Sequence, residues 1–477
     1  MYKFKSYQYL IAFGVCLAAV SCKTPAIVAS KSDIALPESF TDSKDTTNMA
    51  KQSWKTFFKD KNLVALIDTA LQNNQELKIT MQEIEMAKND IRIRKGALLP
   101  TVGVRAGAGV EKVGRYTSQG AGDASTEIKP GIEMPDPLQD YTLAAYAHWE
   151  VDIWKKLRNS KKAAISRYLS TIEGKNFVVT NLISEIADSY YELLSLDNQL
   201  EVIRENIKLQ NQALEIVKVQ KEAARTTELA VQKFSAEVLA SQSMEFETLQ
   251  KIKETENRIN FLLGRYPQEI KREKSGFLTL LPNAVTSGIP SQLLENRPDI
   301  KQAELELAAA KLDVKAARAE FYPSLEISAT YGLQAFKPSY LFTLPESLLY
   351  SLAGDIAAPL INRNAIKAEF KNANARQLQA MYNYERTILN AYLEVSNQLS
   401  KISNLDKSYA LRSQQVDALN RSIDVAGDLF KSARADYFEV MMTQRDALES
   451  KLELIETKKE QLNAALHIYR DLGGGWK

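Results

Sequence analysis

The sequence contains a long internal repeat in which a helical period changes to a strand period. Residues 73–109 align with residues 296–332 at a constant offset of 223 positions, without a gap. In both copies an amphipathic helical pattern runs into a proline, Pro100 or Pro323, and an alternating pattern follows. A long proline-free helical segment comes after each copy. Two copies of helix, paired strands and long hairpin are typical of a repeat architecture rather than of one ordinary soluble core.

Four segments alternate between apolar residues and polar or small residues, as β-strands do. We predict strands at 101–116 and 138–153 in the first copy, and at 324–335 and 347–358 in the second. The segment 117–137, which is rich in Gly, Ser, Asp and Pro, is predicted to be an exposed loop. The strands suit the ~9–11 residues that a tilted membrane strand needs. A soluble hairpin with one face on a core would show the same alternation, because the signal of a single membrane strand is weak.

Two segments, 155–264 and 363–472, are predicted to be long helical hairpins. Their helical patterns are each interrupted once, at 221–228 and at 431–437. The tips align at an offset of 209 positions, whereas the parts nearer the strands align at an offset of 202. The two offsets differ by 7 residues, which is one heptad, and such an insertion preserves the buried stripe of a coiled coil. This spacing favours helices that pack against one another.

The N-terminus has the pattern of an export signal. Two lysines precede an apolar stretch at 10–20, and small residues then precede Cys22. This pattern is typical of a bacterial lipoprotein signal that is cleaved before Cys22, to which lipid is then attached; a plain secretory signal with a coincidental cysteine is the alternative. Cleavage would remove Cys16 and exclude an intramolecular disulfide. No later segment reaches 18 continuous apolar residues, so any membrane crossing must be made by strands.

These patterns predict a signal peptide, an anchored linker and two repeats. The first repeat ends in an equatorial segment after its hairpin, and the second begins with a helix before its strands and ends in a C-terminal tail. The predicted boundaries are 1–21 for the signal peptide, 22–60 for the lipid-anchored linker, 61–290 for the first repeat, 265–290 for its equatorial segment, 291–477 for the second repeat and 297–320 for its first helix.

The composition argues against nucleic-acid binding and against catalysis. The 61 basic and 59 acidic residues give a net charge of +2, and no basic block is present. The two histidines, His148 and His467, lie far apart in the sequence, and no set of zinc ligands is visible. The glycines at 473–475 are typical of a helix end rather than of a nucleotide site. We therefore expect no enzyme activity, no cofactor, no metal and no nucleic-acid partner.

Several local patterns resemble the TolC/OprM family of outer membrane factors, and most closely its lipoprotein, NodT-like branch. They resemble the end of the family's second strand, the helix-to-strand signature of its second repeat, and the beginning and end of its last helix. In chain order, these patterns are WEVDIW at 149–154, ENRPDI at 295–300, ARAEFYPS at 317–324, QR at 444–445 and LGGGW at 472–476. Their order and spacing are far more specific than any one of them, and the match covers about residues 60–475.

The resemblance implies a mainly α fold with a membrane β-barrel. Three identical chains would form a 12-stranded barrel in the outer membrane, continued by a 12-helix periplasmic coiled-coil tunnel. The lipid-anchored trimer would dock on a periplasmic adaptor and an inner-membrane pump and act as a passive conduit for small molecules. A type I protein secretion outlet of the same fold is one alternative. A periplasmic coiled-coil adaptor or scaffold is another, although it would need no alternating strand hairpins.

The resemblance also places candidate functional residues at the hairpin tips. The residues that correspond to the family's periplasmic aperture either form a hydrophobic constriction or fill the coiled-coil seam; they are Phe430, Phe438, Met441, Met442 and Arg445. The tip residues are candidates for contact with the adaptor, with solvated arginines as the alternative; they are Ala224, Arg225, Ala433 and Arg434.

Five positions depart from the family pattern, and one of them is Arg225, which stands at the first tip where the family often has leucine. Met442 stands where some members have an acidic residue at the aperture. Ala224 and Ala433 stand at tip positions where glycine is common, and Lys155 stands where a glycine commonly follows Asp-Ile-Trp. These positions bear on the gate and on the docking partner, and not on the predicted architecture.

Overall fold

The computed structural model describes residues 26–27, 36–40, 46–274, 276–280, 282, 284–359, 363–432 and 434–477, apart from the side chain of Lys129. The predicted signal peptide and Cys22 lie outside these residues. The chain forms two compact units, and each contains segments of both sequence repeats. The strand unit comprises the described residues within 1–31, 85–168 and 305–381, and the hairpin unit comprises those within 32–84, 169–304 and 382–477.

Long helices dominate the described chain. The helices are α1 (Trp54–Phe57), α2 (Lys61–Asn73), α3 (Gln75–Gly96), α4 (Ser118–Asp123), α5 (Lys156–Glu222), α6 (Glu228–Leu262), α7 (Leu293–Asn296), α8 (Pro298–Ala319), α9 (Asn364–Lys431) and α10 (Tyr437–Asp471). The strands are β1 (Thr101–Glu111), β2 (Glu127–Lys129), β3 (Ile132–Glu133), β4 (Leu138–Val151), β5 (Ser324–Ala335) and β6 (Leu348–Ala357). Most predicted boundaries agree with these within two residues, which is the usual uncertainty of an element's end.

The strand unit contains a four-stranded antiparallel sheet in the order β1–β4–β5–β6. Its register places apolar residues in rows, since Val104 lies opposite Ala145, which lies opposite Tyr331, which lies opposite Tyr350. This apolar face is open in the single chain, because Val104 and Tyr350 are 76% and 75% exposed. Successive strand residues point to opposite faces, so the acidic residues of β4 and β5 lie on the other side.

One predicted strand ends earlier than expected, and the segment predicted as a loop contains a short hairpin. The prediction of a strand at 101–116 is wrong beyond Glu111, because Glu111 lies opposite the first residue of β4 and later residues have no strand partner. The chain turns there, and the Thr117 hydroxyl caps α4 by accepting a hydrogen bond from the Gly120 N–H. The small β2–β3 hairpin then occupies part of the segment predicted as a loop.

The helical pattern at 62–98, before Pro100, predicts one helix, but the structure breaks it at Asn74 into α2 and α3. The Asn74 amide oxygen accepts a hydrogen bond from the Leu77 N–H at 3.0 Å, which begins α3. Its amide nitrogen donates to the Leu262 carbonyl at 2.9 Å. An asparagine that satisfies both a helix start and a distant helix end stops α2, as side chains of this kind commonly do at caps.

A glycine in β5, Gly332, allows β4 to approach closely. A Cβ atom at Gly332 would lie 2.3 Å from the Leu143 carbonyl oxygen and 2.4 Å from the Ala144 Cα, and backbone atoms cannot rotate away. Gly332→Ala should therefore lower the free energy of unfolding by about 1–3 kcal/mol, as overpacking does. Gly354→Ala in β6 is the matched control, since an added Cβ there meets no atom within 4 Å. Equal thermal denaturation midpoints for the two variants would contradict the prediction.

The core of the hairpin unit includes part of the predicted N-terminal linker. The linker prediction is wrong for residues 46–60, because Trp54, Phe57 and Phe58 bury their side chains. The Phe57 ring stacks on Tyr469 with centroids 4.1 Å apart. Burial of such aromatic surface is favourable enough to hold a segment of this length against the helices.

A phenol–carboxylate contact joins the same segment to the first hairpin. The Tyr190 hydroxyl donates to the Asp60 carboxylate at 2.6 Å. Burial, together with the hydrogen bond to Asp60 and its negative charge, raises the pKa of Tyr190 well above its ordinary value, so the phenol stays neutral. The fully buried Tyr190 is therefore a donor at the point where the N-terminal segment meets α5.

Candidate functional site

The two hairpin tips close with the same backbone hydrogen bond. The Arg225 N–H donates to the Gln220 carbonyl at 2.8 Å, and the Arg434 N–H donates to the Leu429 carbonyl at 2.8 Å. Each bond joins residues five apart, as in the Schellman ending of a helix. Both arginine side chains are exposed at the tips. Ala433 lies outside the described residues.

Two of the residues that depart from the family pattern have positive φ angles. Ala224 has φ 55° and Lys155 has φ 62°, and these are the non-glycine residues with positive φ in the described chain. Only glycine adopts this left-handed conformation without a steric cost. Ala224 and Lys155 therefore retain a backbone geometry that a glycine would adopt more easily.

Glycine at the first tip should stabilise it. Removing the left-handed Cβ at Ala224 relieves about 1–2 kcal/mol, and the greater freedom of glycine in the unfolded chain offsets about 0.5–1 kcal/mol of this. Ala224→Gly should thus slow amide hydrogen exchange at the tip. Ala223→Gly is the control; because the Ala223 N–H bonds to the Val219 carbonyl in helical fashion, this change should speed exchange. The prediction fails if both variants change exchange in the same direction.

Polar caps begin the helix after each tip. The Thr227 hydroxyl accepts from the Ala230 N–H, and the Asp436 carboxylate accepts from the N–H groups of Phe438 and Glu439. The Glu439 side chain in turn accepts from the Asp436 N–H at 3.2 Å, which completes a capping box. The Asp-x-x-Glu spacing in the sequence carries this signal, which our sequence analysis missed. The cap orients the start of α10, whose first three turns contain Phe438, Met441, Met442 and Arg445.

Two of the candidate aperture residues pack against the first hairpin. Met441 is 7% exposed and Phe430 is half-buried. Both belong to an apolar cluster, here called the tip cluster, that also includes Tyr437 and residues of α5 and α6; the first-hairpin members are Ala213, Leu214, Val217, Ala230, Val231, Phe234 and Val238. Met441 and Phe430 thus lie in the seam between the two hairpins of one chain.

Two other candidates line an open groove on the second hairpin. Phe438 is 51% exposed, and with Met442 it borders a groove of about 670 Å³. The remaining lining residues were not among the residues predicted from the sequence, although apolar residues one helical turn apart, such as Val425 and Leu429, were a usable signal. These further residues are Arg421, Ser422, Val425, Ala426, Leu429, Ala435, Glu439 and Thr443. We call this surface the tip groove.

Arg445, the fifth candidate, contacts neither set. Its guanidinium is half exposed, and Nη2 lies 3.8 Å from the Asp446 carboxylate. The neighbouring Gln444 is buried and its amide oxygen lacks a hydrogen-bond partner. The structure therefore divides the five candidates into seam residues, groove residues and one exposed arginine.

The described residues offer little for metal or cofactor chemistry. Within them, no group of three or more His, Cys, Asp or Glu side chains is placed to hold a metal ion. His467 instead contacts the Asp188 carboxylate, with its Nε2 2.9 Å from Oδ2. None of the helices described is both long and apolar enough to cross a membrane.

The sequence model of one protein family covers most of the chain. The model of the outer membrane efflux protein family matches residues 66–265 and 289–474, which include both hairpins and both pairs of long strands. The chain belongs to the outer membrane efflux protein family. It is accordingly an outer membrane protein that functions in efflux, and no enzymatic family is indicated.

Relatives in this family align with the chain over nearly its whole length. The pyoverdine export outer membrane protein OpmQ of Pseudomonas aeruginosa is 27% identical, covering 99% of this chain and 98% of its own. The probable outer membrane lipoprotein SilC of Salmonella typhimurium is 26% identical, and the alignment covers 100% of this chain and 100% of SilC. The cation efflux system protein CusC of Escherichia coli K12 is 24% identical over 98% of this chain and 99% of its own.

A crystal structure of CusC shares the fold. It superimposes with a TM-score of 0.82 at 23% sequence identity, covering 95% of this chain and 100% of that chain. A likeness of this extent shows that the helices and strands described above follow the arrangement of a solved outer membrane efflux protein.

Proposed function

We propose that this chain forms a trimeric, passive outer membrane conduit that receives small molecules from a periplasmic adaptor and an inner-membrane pump. Each copy would contribute its four long strands to a 12-stranded barrel and its long helices to a 12-helix tunnel. Lipid on Cys22 would anchor the trimer to the outer membrane. The trimer, the barrel and these partners rest on the family and on the surfaces that a single chain leaves uncovered.

The single observation that carries this proposal is the unfinished sheet. β1 pairs with β4 and β6 pairs with β5, and among the described strands neither outer strand has a second partner. Long open edges with an apolar face are a hazard that proteins usually cover. In lipid, every backbone polar group must be paired, and sheets achieve this by closing into barrels. Three copies joined edge to edge would satisfy both requirements.

The internal repeat supports the same assembly. α3 and α8 have the same length and are related by the sequence offset of 223 residues, and α6 and α10 are related in the same way by 209 residues. The two repeats therefore supply similar elements, so a trimer would have six quasi-equivalent hairpins around one axis. A ring of similar neighbours is a natural way to build a tunnel from few elements.

The pump, rather than this chain, would choose the cargo. OpmQ is named for pyoverdine export and CusC for cation efflux, although both align over nearly the whole chain. Relatives that align over nearly the whole chain are thus named for different cargoes, which supports selection of the cargo by the pump. The tip groove is an open surface with both apolar and polar residues along it, and not an enclosed ligand pocket.

Deletion of the gene tests the proposed function. Cells that lack the gene should accumulate more of a fluorescent dye such as ethidium, and the intact gene should restore the original level. Complementation with the Gly332→Ala variant should restore efflux less well, because a weakened sheet reduces the amount of assembled channel. The purified protein should also migrate as a heat-dissociable trimer. A monomeric protein whose deletion leaves dye accumulation unchanged would contradict the proposal.

A further inference from the structure

The internal repeat allows the tip groove to be compared with a surface that is already covered within the chain. The offset of 209 residues relates Arg225 to Arg434 and α6 to α10. At this offset, Val217, Ala230 and Phe234 correspond to Ala426, Glu439 and Thr443. The first three residues are buried in the tip cluster, with exposures of 0%, 0% and 1%.

The three corresponding residues all line the tip groove. Ala426, Glu439 and Thr443 border it, and Glu439 is exposed while the other two are half-buried. The same face is therefore packed on the first hairpin and open on the second. A face that is filled in one repeat and empty in its equivalent indicates that a further hairpin of the same type is missing from the single chain.

The identity of the missing hairpin follows from what fills the first face. In the tip cluster, the second hairpin supplies Phe430, Tyr437 and Met441. Their equivalents on the first hairpin are Lys221, Glu228 and Gln232. These three side chains are exposed and bound to one another, since Lys221 forms an ion pair with Glu228 and Gln232 donates to Glu228 at 2.7 Å. They form a compact polar triad at the first tip.

We propose that the Lys221–Glu228–Gln232 triad of one copy occupies the tip groove of the next copy. This inference rests on the proposed trimer and specifies its contact at the tips. The groove offers a guanidinium at Arg421 and a carboxylate at Glu439, and the triad offers an ammonium and a carboxylate, so the two surfaces match in charge. The alkyl part of the Lys221 side chain can cover apolar groove residues while its ammonium remains hydrated, as long cationic side chains commonly do.

The two kinds of seam around the ring would then differ in chemistry. Within a chain, the seam at the tips is apolar and includes Phe430, Met441 and Phe234. Between copies, it is formed by the polar triad against a half-apolar groove. Interactions between exposed charges are screened by salt, whereas buried apolar contacts are not. The contact between copies is therefore the weaker one, and Phe438 and Met442 lie beside it.

Disulfide cross-linking tests the contact directly. Natural cysteines are limited to Cys16 and Cys22, so the background is low. Within the tip cluster, the equivalent pairs are Met441 with Phe234 and Phe430 with Val217. The double variants Gln232→Cys/Thr443→Cys and Lys221→Cys/Ala426→Cys should therefore cross-link one copy to the next. After oxidation of the intact protein in its membrane with copper phenanthroline, both pairs should give covalent trimers on a non-reducing gel. The single-cysteine variants should remain monomeric on that gel.

A mismatched pair is the control for chance collisions. Gln232→Cys with Glu449→Cys places the second thiol on an exposed residue of α10 outside the groove, and it should yield few covalent trimers. The proposed contact is wrong if the protein runs as a trimer on a native gel but neither matched pair cross-links. It is also wrong if the mismatched pair cross-links as well as the matched pairs. Either result would leave the proposed trimer itself standing. A parent protein that is monomeric on a native gel would overturn the proposed assembly as well.

Discussion

Replacing Arg297 by methionine should lower the free energy of unfolding by about 1.5–3 kcal/mol, because it removes the charged hydrogen bonds from a buried guanidinium to two partly exposed carboxylates. The Arg297 guanidinium is 7% exposed and binds the Asp299 carboxylate through two nitrogens, at 3.0 Å and 2.7 Å. It also donates to Glu394 at 2.7 Å and to the Asp471 carbonyl at 2.8 Å. One side chain thus joins the start of α8, the middle of α9 and the end of α10.

The charge of Arg297 is secured by its partners. Burial alone would lower the pKa of Arg297, but the carboxylates of Asp299 and Glu394 raise it above its ordinary value, so the group stays charged. Methionine keeps much of the length and packing of the side chain and removes the charge. The expected loss is therefore electrostatic and not the result of a cavity.

Arg376→Met is the matched control for Arg297→Met. Arg376 forms an ion pair with Glu369 at 3.5 Å, but the two side chains are 69% and 53% exposed. Exposed pairs of this kind contribute about 0–1 kcal/mol. Urea denaturation of the two purified variants measures the difference. The urea midpoint of Arg297→Met should lie well below that of the parent protein, and the midpoint of Arg376→Met should lie close to it. Two midpoints equally close to that of the parent protein would show that the contacts of Arg297 contribute nothing to stability.

Replacing Phe234 by alanine should loosen the tips at a cost of about 3–5 kcal/mol, which is typical of removing a buried phenylalanine. Phe234 is 1% exposed in the tip cluster, where Met441 and Phe430 of the second hairpin pack with it. The tip cluster is separate from the main apolar core of the hairpin unit. Its loss should therefore appear first as local opening at the tips, because small clusters open independently of the larger core.

Phe246→Ala on the same helix is the matched control for Phe234→Ala. Phe246 is 71% exposed, so its truncation removes little buried surface. Hydrogen exchange at the tips should accelerate strongly in Phe234→Ala and remain near that of the parent protein in Phe246→Ala. A similar acceleration in both variants would show that the tip cluster does not hold the two hairpins of one chain together.

Local patterns in the sequence were sufficient for most element boundaries. Proline-free stretches predicted the long helices, and Pro298 stands at the first residue of α8, where a proline is well tolerated. Alternation predicted β5 with the bounds that the structure shows. These features depend on neighbouring residues, so a single sequence contains enough information to recognise them.

Long-range contacts were the source of the errors. β1 ends where its partner β4 begins, and nothing within 101–116 reveals that point. Residues 46–60 look polar and mixed, yet Phe57 and Phe58 are buried because helices distant in sequence lie beside them. A strand end or a folded linker of this kind is decided by its partner and not by its own composition.

The repeat, the long hairpins, the alternating strands and membership of an efflux family all follow from patterns along the chain. The packing of the two hairpins, by contrast, sets which tip residues are buried within the chain and which remain open. Met441 and Met442 are adjacent and chemically identical, yet Met441 is buried in the tip cluster and Met442 borders the tip groove. Consecutive helical residues point about 100° apart. Their roles therefore depend on where the first hairpin lies against α10, which no local pattern records.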